Sequence, residues 1–333
     1  MPNPSEQDET LPDWSPALGH RTVTHAAITR FGELTGDYAQ MHFDRDFGPA
    51  QGMGGTIAHG LLSAAWSIGA LALHAPERLA LGEPDAALVG YRVRFARMVF
   101  IDDLFSLRWR AANDAAMDGL PGSGLLNTVF EVVNQRGKVV TAGAVSVCRG
   151  RAGEDRGLAS ADAPLDTRLA PSRPAPQPLH ADEMVEFGPR GEGFGRTVTE
   201  ADLVAWSDFT GALDPATLDA EFARTGLFTR PIAPPLWVFC RAFGDYLRDL
   251  LRVEMPSSGF AGHLGDAFRV VAPVHPGDTL TTRHRPVSYV PSRSRPGMGI
   301  VEFALQVVNQ HDVIVQEGRV QMMMTARPQP PAR

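Results

Sequence analysis

"RTVTHAAITRFGELTGD" covers residues 21–37, and "RTVTEADLVAWSDFTGA" covers residues 196–212. One pattern is written twice, at an offset of 175 residues from Arg21 to Arg196. Without a gap, 12 of the 41 positions from Arg21 to Leu61 match their partners from Arg196 to Leu236. "VVNQ" returns at the same offset, at 132–135 and 307–310. Composition bias would not hold register over that distance, so the chain reads as two copies of one folding unit.

Each copy offers the same order of elements. Thr24 and Thr199 stand where helix N-caps are expected, and Thr199 with Asp202 spells an approximate capping box. A short helix follows, with Ile28 and Phe31 on its apolar side, or Leu203 and Trp206 in the copy. Next comes an irregular overhang. Then an apolar helix begins near Ala58 ("AHGLLSAAWSIGALAL") or near Pro235 ("PLWVFCRAFGDYL"). The first of these is apolar on nearly every side and should be buried. Beyond it the period changes to two: Val89, Tyr91, Val93 and Phe95 alternate with Gly90, Arg92 and Arg94, as in a strand. "LFSLRWRAA", "LLNTVFEVVNQ" and "KVVTAGAVSVC" are further strands, the last two joined by a turn at Gly137, and four more are expected in the copy. The expectation is an α+β chain in which an antiparallel sheet wraps a central helix, twice over. The first unit is placed at residues 12–150 and the second at 186–327. Between them, residues 151–185 have the Pro- and Ala-rich composition of a linker.

The whole chain limits the chemistry. It has 333 residues and a net charge of -7, which argues against nucleic acid as its main partner. Lys138 is its one lysine and falls in an expected hairpin turn, so a phosphate-binding loop lysine and a Schiff-base lysine are both out of context. Cys148 and Cys240 form no metal or disulfide pattern, and no histidine spacing suggests a metal site. "GPAQGMGGT" from Gly48 reads as an overhang loop. The N-terminus lacks a hydrophobic signal core, no stretch reads as a membrane span, and a cytoplasmic protein is expected.

The copies differ where acid–base chemistry could sit. Asp37 corresponds to Ala212, His42 to Thr217 and Gly60 to Pro235. Two ionisable groups and one backbone N–H are therefore absent from the second copy. Around the first set, Phe31, Thr35, Gly36, Asp37, Met41 and His42, followed by Ala58-His59-Gly60, resemble the hydratase motif of MaoC-like (R)-specific enoyl-CoA hydratases. Two departures stand out. Ala39-Gln40 replaces that family's Asn-Pro, and Ile68, with Ser67 beside it, falls where some members carry a helix serine.

The resemblance implies a double hot-dog fold, covering most of the chain. It implies an enoyl-CoA hydratase, a hydro-lyase acting as dehydratase in reverse. Asp37 and His42 would activate the water, and the Gly60 N–H would steady the enolate oxygen. His59 is read as packing or hydrogen bonding at the helix start, or as a substrate contact. Arg92, Arg94 and Arg97 are candidates for the CoA phosphates or else a solvated strand face. No metal or redox cofactor is implied. The partner is an acyl-CoA or acyl-ACP thioester, and a homodimer is left open. A 3-hydroxyacyl-ACP dehydratase, a thioesterase and a non-catalytic acyl-thioester binder are the rival readings. The second copy is expected to line an enlarged acyl pocket near Leu236 to Phe243.

Overall fold

The computed structural model describes residues 13–50, 52–112, 125–150, 162–167, 175–256 and 260–328. In the first half, strand β1 is Leu18–Thr22, and helices α1 (His25–Thr35), α2 (Gln40–Phe43), α3 (Phe47–Ala50) and α4 (Gly60–His74) follow. Strands β2 (Ala86–Phe95), β3 (Leu104–Ala112), β4 (Leu126–Asn134) and β5 (Val139–Arg149) complete it. The second half has α5 (Met184–Phe187), β6 (Gly191–Glu192), β7 (Arg196–Thr197), α6 (Glu200–Thr210), α7 (Pro215–Leu218), α8 (Ala220–Thr225) and α9 (Pro235–Leu250). It closes with β8 (Phe260–Val270), β9 (Thr279–Pro291), β10 (Met298–Val308) and β11 (Ile314–Thr325).

All strands but β7, which pairs with β9, lie on one path: β1-β3-β4-β5-β2-β8-β11-β10-β9-β6. The halves join at β2 and β8, antiparallel, with Tyr91 opposite Phe268 and Val93 opposite Asp266. Each half thus covers the other's open edge, which an isolated unit would expose. Tyr91 and Phe268 stack at 5.6 Å across this seam. The helices pack beneath the sheet, where Leu62, Leu71, Phe239 and Tyr246 are buried.

The repeated residues have repeated jobs. The hydroxyls of Thr24 and Thr199 cap α1 and α6, and Gly36 and Gly211 end them, each at φ 80°. In "VVNQ", the Asn134 side chain accepts from the Arg136 and Lys138 N–H groups and shapes the β4–β5 turn. Gln135 reaches back to accept from the Leu104 N–H. Asn309 and Gln310 do the same for His311, Val313 and Thr279.

Two glycines let the halves cross closely. A Cβ on Gly69 of α4 would lie 1.8 Å from the Thr210 carbonyl oxygen, and one on Gly244 of α9 would lie 2.4 Å from that of Thr35. The contacts are related by the 175-residue offset with the halves exchanged. Alanine favours a helix by about 1 kcal/mol over glycine. Overpacking against backbone costs about 1–3 kcal/mol or more, and backbone cannot swing away, so the clash should win. Gly69→Ala and Gly244→Ala are therefore expected to lower Tm. Only Gly244→Ala should also depress activity, because it pushes on the Thr35–Asp37 turn. An unchanged Tm in both variants would contradict the close crossing.

The expected linker is not uniformly loose. Residues 151–161 and 168–174 lie outside the described residues. Within the described part, the Leu165 N–H donates to Gln306 Oε1, and Leu179 and Ala181 are buried against the second half. Residue 12 and residues 329–333 of the tail are also outside the description.

Candidate active site

The turn after α1 positions Asp37. The Thr35 hydroxyl donates to Phe31 O and accepts from the Asp37 N–H, and left-handed Gly36 reverses the chain. Asp37 Oδ1 then accepts from the Ala39 N–H at 3.2 Å. This Asx-type bond holds the turn that a family Asn-Pro would otherwise occupy. The second half folds the same turn around Thr210, but there Asp214 caps α7 ahead of Pro215.

His42 lies on α2 and donates Nδ1–H to Ile57 O at 2.9 Å. That bond selects the tautomer whose Nε2 lone pair is free. His59, just before α4, points Nε2 at Asp37 O, 3.1 Å away, and stacks on His42 at a centroid distance of 3.8 Å. A carboxylate oxygen of Asp37 and one ring nitrogen each of His42 and His59 lie within 4.8 Å of one another. One water, making two bonds of about 2.8 Å, spans such a gap. These three residue types can also ligate a metal. However, His42 Nδ1 and His59 Nε2 are committed to backbone carbonyls, which favours proton handling.

Burial dominates the electrostatics. It pushes the Asp37 carboxyl above the ordinary carboxylate range, against the opposing pull of His42 and the Ala39 N–H. Burial also lowers His42, although Asp37 works the other way. His59 is held well below the usual imidazole range by burial and then by His42. The shifts of Asp37 and His42 bring their proton affinities closer together, which favours passing a proton between them.

Asp37 and His42 face a cavity of about 850 Å³, with Gly60 in its wall. Gly60 begins α4, and no side chain caps that helix start. A Cβ on Gly60 would sit 3.0 Å from the Phe95 ring, so glycine is what leaves room there. In the second half, the equivalent space around Pro235, Ile232 and Gln316 measures about 20 Å³. Phe228 and Leu88 help close it.

Other expected residues separate. Arg97 lines the dyad's cavity. Arg92 and Arg94, opposite to buried Val93 in the strand alternation, line another groove with Trp14 and Arg110. Of the second half's expected lining helix, Phe243 reaches the cavity, joined by Leu247 one turn on, while Leu236 is buried elsewhere. The helix serine at the cavity is Ser63, bonded to Gly60 O and to the Thr141 hydroxyl, whereas Ser67 bonds Ser63 O. Its spacing of three from Gly60 was the signal for that shared face. Lys138, read as a turn residue, stands at the cavity rim with Arg136 and Arg295. His263, on β8, also lines it.

Residues 10–119 match the model of the MaoC like domain, and residues 187–318 match that of the FAS1-like, dehydratase domain region. A 124-residue segment is 32% identical to the beta-methylmalyl-CoA dehydratase of Chloroflexus aurantiacus, covering 37% of this chain. The chain spans about a third (33%) of that relative's length in this match. Among solved structures, a MaoC domain protein from Chloroflexus aurantiacus aligns at TM-score 0.68 and 16% identity, over 96% of each chain. A Mycobacterium tuberculosis protein described as having a double hotdog fold aligns at TM-score 0.65 and 18% identity, over 95% of this chain and 97% of its own. The fold is a double hot dog. No helix among the described residues is long and apolar enough to cross a membrane.

Proposed function

Starting from a MaoC-like domain at residues 10–119 and a dehydratase region at residues 187–318, we propose that this chain reversibly hydrates a trans-2-enoyl thioester of CoA. The observation that carries this reading is the contrast between the two halves: Asp37 and His42 on a cavity of about 850 Å³, against Ala212 and Thr217 at the matching positions and a space of about 20 Å³ beside Pro235.

Asp37 and His42 Nε2 hold one water between them. As its oxygen bonds C3, the water gives up a proton to the pair. The C2=C3 π electrons move to the thioester oxygen, and C2 then takes a proton back from the pair. The developing enolate oxygen receives the Gly60 N–H at the positive end of α4. Phe243, Leu247 and Met322 offer the acyl chain an apolar wall. Arg97, Arg136, Lys138 and Arg295 at the rim suit the CoA phosphates. The relative's name refers to a CoA thioester, in keeping with that carrier.

The test is loss of the conjugated enoyl absorbance with a panel of enoyl-CoA esters. Release of free thiol without that loss would replace this reading with a thioesterase, and binding without either change would leave a non-catalytic binder. The pH profile follows from Asp37. Its raised pKa means that the working carboxylate is lost on acidification earlier than for an exposed aspartate. The acid limb of kcat/KM is expected above the ordinary value of about 3.9, and a flat profile down to about pH 4 would remove Asp37 from the role.

A further inference from the structure

The second half lacks a dyad, yet it places one ionisable pair beside the first half's dyad. His263 Nε2 and Asp266 Oδ1 lie 2.7 Å apart on β8, and Asp266 is buried. The ring is clamped between Phe95 (4.7 Å) and Phe243 (4.8 Å, nearly parallel). Phe95 is also the ring that covers Gly60. His263 therefore sits one aromatic ring away from the helix start and lines the same cavity as Asp37 and His42.

The chain contains its own control. At the 175-residue offset, His263 corresponds to Leu88 and Asp266 to Tyr91. Leu88 lines the closed second space just as His263 lines the open one. A buried carboxylate is costly unless paired, so an apolar residue would be the default at both positions. The ionisable pair occurs where it looks across at the dyad.

We propose that His263, held by Asp266, is a positioning residue of the dyad's site, supplied by the half that has no dyad. Positive charge on its ring opposes protonation of both Asp37 and His42, a smaller influence than the burial that raises the first and lowers the second. The titratable groups around it are Asp266 on its own strand and Asp37 and His42 across the cavity. Tyr91 of β2 and Cys240 and Tyr246 of α9 surround Asp266. Arg97 and Arg295 stand further out on the cavity wall. The kinetic consequence rests on the hydratase reading; the effect on His42 does not.

The experiment is an NMR titration of the His42 Cε1–H, identified by its loss in His42→Gln, in the wild-type protein and in His263→Gln. The glutamine amide can still donate to Asp266. In His263→Gln, the His42 midpoint should rise, the direction expected when a positive charge across the cavity is removed. The acid limb of kcat/KM should move the same way. Superimposable His42 curves in the wild type and the variant overturn the proposal. So does a fall in rate with no movement of the limb, which marks a merely structural role. If His263→Gln does not fold, the same comparison with His263→Asn decides. If no enoyl thioester is hydrated but the His42 curve still shifts, the hydratase reading fails and this one stands.

Discussion

Replacing Asp37 with asparagine is expected to lower kcat for enoyl-CoA hydration by about 10²–10⁴-fold, the range of a lost general acid–base group. The fold should survive, because an asparagine carbonyl can accept the Ala39 N–H as Asp37 Oδ1 does. His42→Ala should cost a similar factor for a different reason: it removes the free Nε2 and the ring stacked on His59. The double variant should be little worse than either single one, since both groups act on one water. Circular dichroism and Tm establish that the variants are folded, and the enoyl absorbance gives the rate. Near-wild-type turnover in either single variant would end the dyad assignment.

Gly60→Pro is expected to cost about 10²–10³-fold, the usual consequence of losing one oxyanion donor. Proline at the first helical position removes only an N–H that the helix itself does not use. His59, the residue before it, is already extended at φ -58° and ψ 133°, as a residue preceding proline must be. The second half shows that the arrangement folds, since Pro235 begins α9 at the equivalent position. The main packing adjustment is at Phe95, whose ring meets any atom added to Gly60. Gly60→Ala separates the two effects: it crowds Phe95 by a similar amount but keeps the N–H. A Gly60→Pro rate no lower than that of Gly60→Ala would remove the N–H from the mechanism.

Much of this site was legible in the chain because its parts are local. Thr35, Gly36, Asp37 and His42 lie within eight consecutive residues whose turn is set by short-range bonds. His59 and Gly60 mark a helix start that the change to an apolar run announces. The second copy then showed which positions could change while the frame stayed. The Ala39-Gln40 departure was harder to judge from sequence. Its resolution depends on an Asp37 side-chain bond that only coordinates show.

The sequence by itself determined the duplication, the order of the main helices and strands, and the half that could carry acid–base chemistry, but it missed β1 and read α2 and α3 as irregular overhang. What it determined follows from residue type, spacing and register along one chain. Only the tertiary structure decided which residues of the second half reach the first half's cavity. Phe243, Leu247, His263 and Arg295 arrive there through the β2–β8 seam and the exchanged crossing at Gly69 and Gly244. Strand alternation likewise sent Arg92 and Arg94 to a different groove from Arg97. A cavity between two folded halves is defined by contacts between residues more than a hundred positions apart. Local propensity and periodicity carry no record of such distances, so that part of the site had to be seen.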